Sequence, residues 1–181
     1  MGVLGFSGHY VVAAAVEEEW VRSVLPHGDL IAPLGAEFLV ALGARLGRHP
    51  DSLDLVAAAD GLEGAPELLT EAAPTDHPRA ARAQLHREQV RVFGDDRGEV
   101  VATLGRGLAG RLEVSLEVAP GARGGGLAPR ALLDLRRIAG PGEPLFGQTS
   151  PANTASVRTL LAAGFEPIGA EVLFYAHRPR D

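Results

Sequence analysis

The spacing of apolar and polar residues changes period several times along the chain, most sharply between Arg111 and Ile138. Leu112, Val114, Leu116 and Val118 alternate with Glu113, Ser115 and Glu117, which predicts a strand over Leu112–Val118 with one apolar and one polar face. Further on, Ala128, Ala131, Leu132, Leu135, Ile138 and Ala139 recur at spacings of three and four, the single stripe of an amphipathic helix. Between the two, Pro120 ends the strand, and Gly124, Gly125 and Gly126 remove every Cβ where the backbone turns into the helix. Such a turn leaves bare N–H groups at a helix N-terminus, which suits a phosphate or pyrophosphate.

Upstream, the short apolar run over residues 9 to 16 fits either a strand or the start of the next helix. From Val16 the pattern is helical, with Trp20, Val21, Val24 and Leu25 on one side and Glu17, Glu18 and Glu19 in the first turn. A second helix is expected from about Pro33 to Leu46, and a buried strand from Leu53 to Ala59. Residues 61 to 76 read as a loop around one short helical piece after Pro66. A helix from Pro78 to Arg87 then leads into strands over Gln89 to Phe93 and Glu99 to Gly105, joined at Gly94–Gly98. With Leu112–Val118 these make an antiparallel meander that feeds the glycine turn. After the central helix, Leu145 to Thr149 is expected as a short strand beside the central one, Asn153 to Ala163 as a helix, and Phe165 to Tyr175 as a last strand pair bent near Gly169.

Composition narrows the function. The 181 residues, 46% hydrophobic and 22% charged, suffice for one domain with a real core. A net charge of −6 disfavours a nucleic-acid partner, and the arginines at 79, 82, 87 and 91 read by default as a solvated helix face. With no cysteine there is no disulfide framework, thiolate metal ligand or cysteine nucleophile. The six histidines show no ligand spacing, so no metal is expected. No apolar run approaches a membrane span and the first residues do not read as a secretion signal, so no membrane partner and a cytoplasmic location are expected. Trp20 and Phe38 read as core.

Spacing then separates the phosphate-binding motifs. A P-loop would need Gly-Lys-Ser/Thr where the chain has Gly126-Leu127-Ala128, and a dinucleotide fingerprint starting at Gly124 would need a small residue where Pro129 stands. The pattern Arg/Gln-x-x-Gly-x-Gly/Ala does fit, at Arg123, Gly126 and Ala128. Downstream, Asn153 is followed by Ser156 and by Gly164-Phe165 at the eleventh and twelfth positions after it. Together these segments resemble the two signatures of the GNAT acetyltransferase superfamily, over roughly residues 89 to 177.

The resemblance implies an α/β (α+β) fold with a mixed, mostly antiparallel central sheet flanked by helices. It implies one acyltransferase domain over 1–181, in which 77–181 is the acyl-CoA-binding core and 1–76 an extended, helical, substrate-side region. It also implies transfer of an acetyl group from acetyl-CoA, as cosubstrate, to a primary amine of a small molecule or a peptide N-terminus. The backbone of Leu116 to Val118 would pair with the pantetheine arm, and the N–H groups of Arg123, Gly124, Gly125, Gly126, Leu127 and Ala128 would hold the pyrophosphate, with charge added by Arg123 and Arg130. Asn153 and Ser156 match positions along the cofactor arm, and helix capping is the other use of that pair.

The chain departs from the family at the acid and the base. The tyrosine that many relatives carry seven residues after the Asn is Leu160 here, and the glutamate that N-terminal-amine acetyltransferases carry five before it is Gln148. Catalytic candidates are therefore Glu113, first, then Glu117 on the same strand, and Tyr175 near the end of the last strand; solvent-facing glutamates are the alternative. A site without a strong base favours an α-amine over lysine. Two other functions compete with acyl transfer: a non-catalytic acyl-CoA-binding regulatory module, and a phosphate-ligand protein of unrelated fold. A homodimer is compatible with the sequence, which leaves the oligomeric state and the acceptor open.

Overall fold

The structure is a computed structural model that describes residues 1–72 and 76–176. In chain order it begins with strands β1 (Gly2–Phe6) and β2 (His9–Ala13), helices α1 (Glu18–Val24) and α2 (Ala36–Leu46), and strands β3 (His49–Pro50), β4 (Asp54–Asp60) and β5 (Thr70–Ala72). Helix α3 (Pro78–His86) precedes the meander β6 (Glu88–Gly94), β7 (Val100–Arg106) and β8 (Leu112–Val118). Helix α4 (Leu127–Ala139), β9 (Pro144–Thr149), α5 (Thr154–Ala162) and β10 (Glu166–Tyr175) complete the chain. Two compact units result.

The first unit comprises Met1–Val56, Thr149–Ala152 and the described residues from Ile168. Here β1 is the middle strand, antiparallel to β2 (Gly2↔Ala13 to Phe6↔His9) and to β10 (Gly2↔Leu173 to Phe6↔Gly169). So the ambiguous run after His9 is a strand, and the stretch from 1 to 72 carries strands as well as its helices. With β1 paired along Gly169–Leu173 and β3 along Phe174–Tyr175, Glu166–Tyr175 forms one strand rather than the expected pair. Val3, Phe38, Leu42, Val172 and Phe174 make this unit's core, with Trp20 packed on Phe38 at a ring separation of 6.2 Å. The helix expected from Pro33 is interrupted, because Gly35 is extended (ψ 148°) between a 3₁₀ turn at Ala32–Leu34 and α2.

The second unit holds Ala57–Gln148 and Asn153–Pro167, with strand order β4-β9-β8-β7-β6-β5. Its pairings from β5 to β8 are antiparallel, whereas β8 and β9, joined through the crossover helix α4, are parallel. The apolar face of the sheet (Phe93, Val100, Ala102, Leu104, Val114 and Val118) packs with Ala131, Leu132 and Leu135 of α4 and Leu160 of α5.

No helix follows Pro66 among the described residues. Asp134, a carboxylate 1% exposed on α4, instead accepts the backbone N–H groups of Glu67, Leu68 and Leu69, the shortest at 2.6 Å from Leu68. This bond set lays Leu69 into the core and presents Thr70–Ala72 to the edge of β6 as β5. Burial alone raises the Asp134 carboxyl pKa, but the three N–H groups and Arg137 outweigh it and hold the group below its ordinary value. Asp134→Asn keeps one oxygen acceptor and loses the charge, so urea unfolding at neutral pH should show a loss of about 2–3 kcal/mol, the scale of hydrogen bonds to a charged group. An unchanged midpoint would mean that the loop is held by other means.

Candidate functional site

The two faces of β8 do different work. Its even-numbered residues enter the apolar core, and its odd-numbered ones face α3 through a layer of paired polar groups. Glu113, 4% exposed, is shared by two guanidiniums: Arg87 Nε donates to Oε2 at 2.8 Å and Arg111 Nε to Oε1 at 2.7 Å. Gly107 lies against the same carboxylate, where a Cβ would overlap it, so only glycine leaves room for it. Arg111 also sits over the Phe146 ring at 5.7 Å. Ser115 and Thr103 share a hydroxyl hydrogen bond of 2.7 Å. At the far end of the row, Arg79 Nη2 approaches Glu117 at 3.4 Å, with both side chains more than a third exposed.

The two ion pairs fix the direction of α3. Arg79 and Arg87 are eight residues apart, Arg87 being the extended C-cap just past His86, and a helical rise of about 1.5 Å per residue puts them about 12 Å apart. Glu117 and Glu113 are four apart on a strand rising about 3.3 Å per residue, or about 13 Å. The two spans match, and α3 lies antiparallel along β8 with an arginine over each glutamate. Thus Arg79 and Arg87 are not the solvated face expected from the sequence; the signal that could have found them is this pair of commensurate spacings.

Burial raises the pKa of Glu113, but the charges of Arg87 and Arg111 and their hydrogen bonds hold it below its ordinary value. A carboxylate so held is a weak proton acceptor. Gln148, at the end of β9, belongs to the same cluster, with its Oε1 3.4 Å from Arg87 Nη2.

On its other edge β8 is paired for less than half its length. It matches β7 through all seven positions, Val100↔Val118 to Arg106↔Leu112, but β9 only at Leu112↔Leu145, Glu113↔Phe146 and Val114↔Gly147. Beyond Val114 the parallel strands part, and among the described residues the edge of Ser115–Val118 has no strand beside it. That edge leads into the glycine turn, where Gly124 and Gly126 take φ of +81° and +78°, a region L side chains rarely adopt. Gly126 is the N-cap of α4 and no side chain caps the helix, so the N–H groups of Leu127 and Ala128 face outward from its first turn. Pro129, third in the helix, has no N–H to lose there. Arg123 bends back, its Nε donating to the Val118 carbonyl at 3.1 Å. Arg130 is exposed.

The remaining expected residues are placed as follows. Asn153 caps α5, its Oδ1 accepting the Ser156 N–H at 3.1 Å, which leaves its side-chain N–H₂ to offer a ligand. Leu160 is a core residue lying over Gly147. Tyr175 belongs to the first unit, in register with His49, whereas Glu113 and Glu117 belong to the second. No group of three or more His, Cys, Asp or Glu suited to a metal occurs among the described residues, and none of their helices is long and apolar enough to cross a membrane. His177 and residues 73–75 of the expected loop lie outside the described residues.

Removing the Glu113 charge leaves two nearly buried guanidiniums facing each other, so Glu113→Gln should cost about 3–5 kcal/mol in chemical denaturation near neutral pH. The pH dependence has a definite sign. A carboxyl whose pKa is lower in the folded chain stabilises above its unfolded value of about 4.3, and that stabilisation disappears as pH falls through the folded value. The difference between wild type and variant should therefore shrink on acidification below pH 4. A constant difference would show that the charge of Glu113 is not what the fold uses.

No protein-family model matches the chain, and no curated protein matches it. Solved structures do match by fold. A candidate acetyltransferase of the GNAT family from Novosphingobium aromaticivorans aligns with a TM-score of 0.52 at 21% identity, over 71% of this chain and 67% of that one. A GCN5-related N-acetyltransferase from Kribbella flavida gives 0.47 at 16% identity, over 75% and 62%, and a GNAT-family acetyltransferase from Colwellia psychrerythraea gives 0.46 at 13%, over 77% and 62%. The chain thus spans about two thirds or less of these structures. The likeness to the first of them is one of fold: the chain has the GNAT fold.

Proposed function

We propose that this chain is an acetyl-CoA-dependent N-acyltransferase acting on a primary amine of a small molecule or a peptide N-terminus. The observation that carries the proposal is the parting of β8 and β9 just past Val114↔Gly147, next to a helix N-terminus opened by glycines. An extended amide-bearing arm of the donor pairs with the free edge at Leu116 and Val118 as an added strand would. Its pyrophosphate meets the N–H groups from Arg123 through Gly124, Gly125 and Gly126 to Leu127 and Ala128, at the positive end of α4. Arg123 swings off the Val118 carbonyl to reach it, and Asn153 and Ser156 flank the arm. The thioester then lies where the two strands part.

In this arrangement the amine attacks the thioester carbonyl carbon, the C–S bond breaks, and the thiolate leaves with little need of an acid near neutral pH. The amine loses a proton to water or to a carboxylate. Glu117, half-exposed and loosely paired, suits that step better than the doubly paired Glu113, whose part is to position the layer around the reacting centre. A non-catalytic acyl-CoA-binding module is the second reading, favoured by the burial of Leu160 where many relatives place a tyrosine.

Two measurements test the proposal. Acetyl-CoA at about 100 times its dissociation constant should stabilise the chain by about 2.7 kcal/mol and raise the unfolding midpoint by a few degrees, with ATP and free pantetheine giving less. Equal shifts with ATP would reduce the site to a general phosphate cradle, and a shift without turnover on any amine would favour the binding module. Since no strong base faces the acceptor, rate should follow the neutral fraction of the amine. That fraction is about a tenth for an α-amine and about a thousandth for lysine at pH 7, so peptide α-amines should react about a hundredfold faster. Equal rates for both in a pH–rate series would overturn this account.

A further inference from the structure

Among the described residues, the buried side-chain nitrogen and oxygen atoms without a hydrogen-bond partner are Arg79 Nε, Arg87 Nη1 and Gln148 Nε2. All three belong to the polar layer between α3 and the face of β8 and β9, and all three are donors. A buried donor without an acceptor costs about 1–3 kcal/mol, and more on a charged group. To have three in one layer and no orphan acceptor among them is a chemical signature: the layer is built for a group that only accepts.

Two of the three sit on neighbouring side chains. Arg87 is spent on one side, its Nε on Glu113 and its Nη2 toward Gln148 Oε1, and Nη1 is left over. The approach of Arg87 Nη2 also orients the Gln148 amide, oxygen toward the guanidinium and N–H₂ away from it. The two free donors therefore sit on groups already in contact, beside the point where β9 parts from β8. An ionised carboxylate accepts from both at once, with one oxygen on the guanidinium and one on the amide.

We infer that the acceptor amine carries a carboxylate, which is held by Arg87 Nη1 and Gln148 Nε2, so that the substrate class is small amino acids or similar amino-carboxylates. This rests on the proposed acyl transfer, which it makes more specific. Gln148 is then a specificity-determining residue that donates a hydrogen bond where a glutamate would repel the ligand. Glu113 has a second consequence here: by holding Arg87 Nε it aims the remaining N–H of that guanidinium at the ligand.

The test compares amino acids with their carboxamides as acceptors for acetyl-CoA, with rates corrected for the free-amine fraction. In parallel, binding of N-acetyl amino acids and their carboxamides is followed by ligand-observed NMR, with and without coenzyme A. The variants are Gln148→Glu and Gln148→Met, checked for folding by circular dichroism; Arg87 is left intact because its loss would strand Glu113. Expected are at least a tenfold preference for the carboxylate, expressed in KM, and its loss or reversal in Gln148→Glu. Equal use of both acceptor classes, or an equal fall for both in kcat, would overturn the inference, the second result moving the two donors onto the acyl oxygen. If no amine is acetylated, the NMR arm still decides: carboxylate binding lost in Gln148→Glu supports the inference while acyl transfer fails, and no carboxylate binding refutes it.

Discussion

A single carboxylate held between two arginines is the constraint on which the rest of the second unit's polar face depends. Glu113 sits in the central strand and cannot be solvated, so its charge is tolerable only because Arg87 and Arg111 bring donors to both its oxygens. Each contact recruits a different part of the chain: the end of α3, the turn before β8, and glycine at 107, where any side chain would displace the carboxylate. Taking charges out of water offers little net stability. What it does provide is a fixed orientation for guanidinium groups beside the place where the two parallel strands part.

The other face of the same strand obeys the opposite chemistry. Val114 and Val118 pack against α4, whose stripe of Ala131, Leu132 and Leu135 closes the core. One strand of seven residues thus has an apolar face, a polar face under α3, an edge fully paired with β7 and an edge that is bare beyond Val114. The bare edge runs into a helix N-terminus without a side-chain cap. Backbone groups, rather than side chains, dominate this surface, and backbone groups recognise a ligand by its amides and phosphates more than by its particular substituents.

Much of this was legible in the sequence because it depends on local periodicity. The strand over Leu112–Val118, the glycine turn and the helix after it follow from residue spacing, and the structure reproduces them with boundaries within a residue or two. The errors have a common cause in contacts distant along the chain. Nothing near Pro66 reveals that Asp134 will collect the N–H groups of residues 67 to 69, nor does Phe165–Tyr175 reveal that β1 will pair across the bend expected at Gly169. The site was harder still. Arg87 looked like one of four surface arginines and Gln148 only like a missing glutamate, because pairing across the sheet, rather than residue type, gives each its character.

The matched spans of α3 and β8 set where that helix can rest. A helix sliding along its own groove advances about 5.4 Å per turn, while the next residue on the same face of a strand lies about 6.6 Å away, so the two rulers fall out of step after one notch. A slip of that kind would set one guanidinium over Ser115, which has no charge to offer, and carry the other past the end of the glutamate row. The two pairs together therefore single out one register, in which each guanidinium meets a carboxylate.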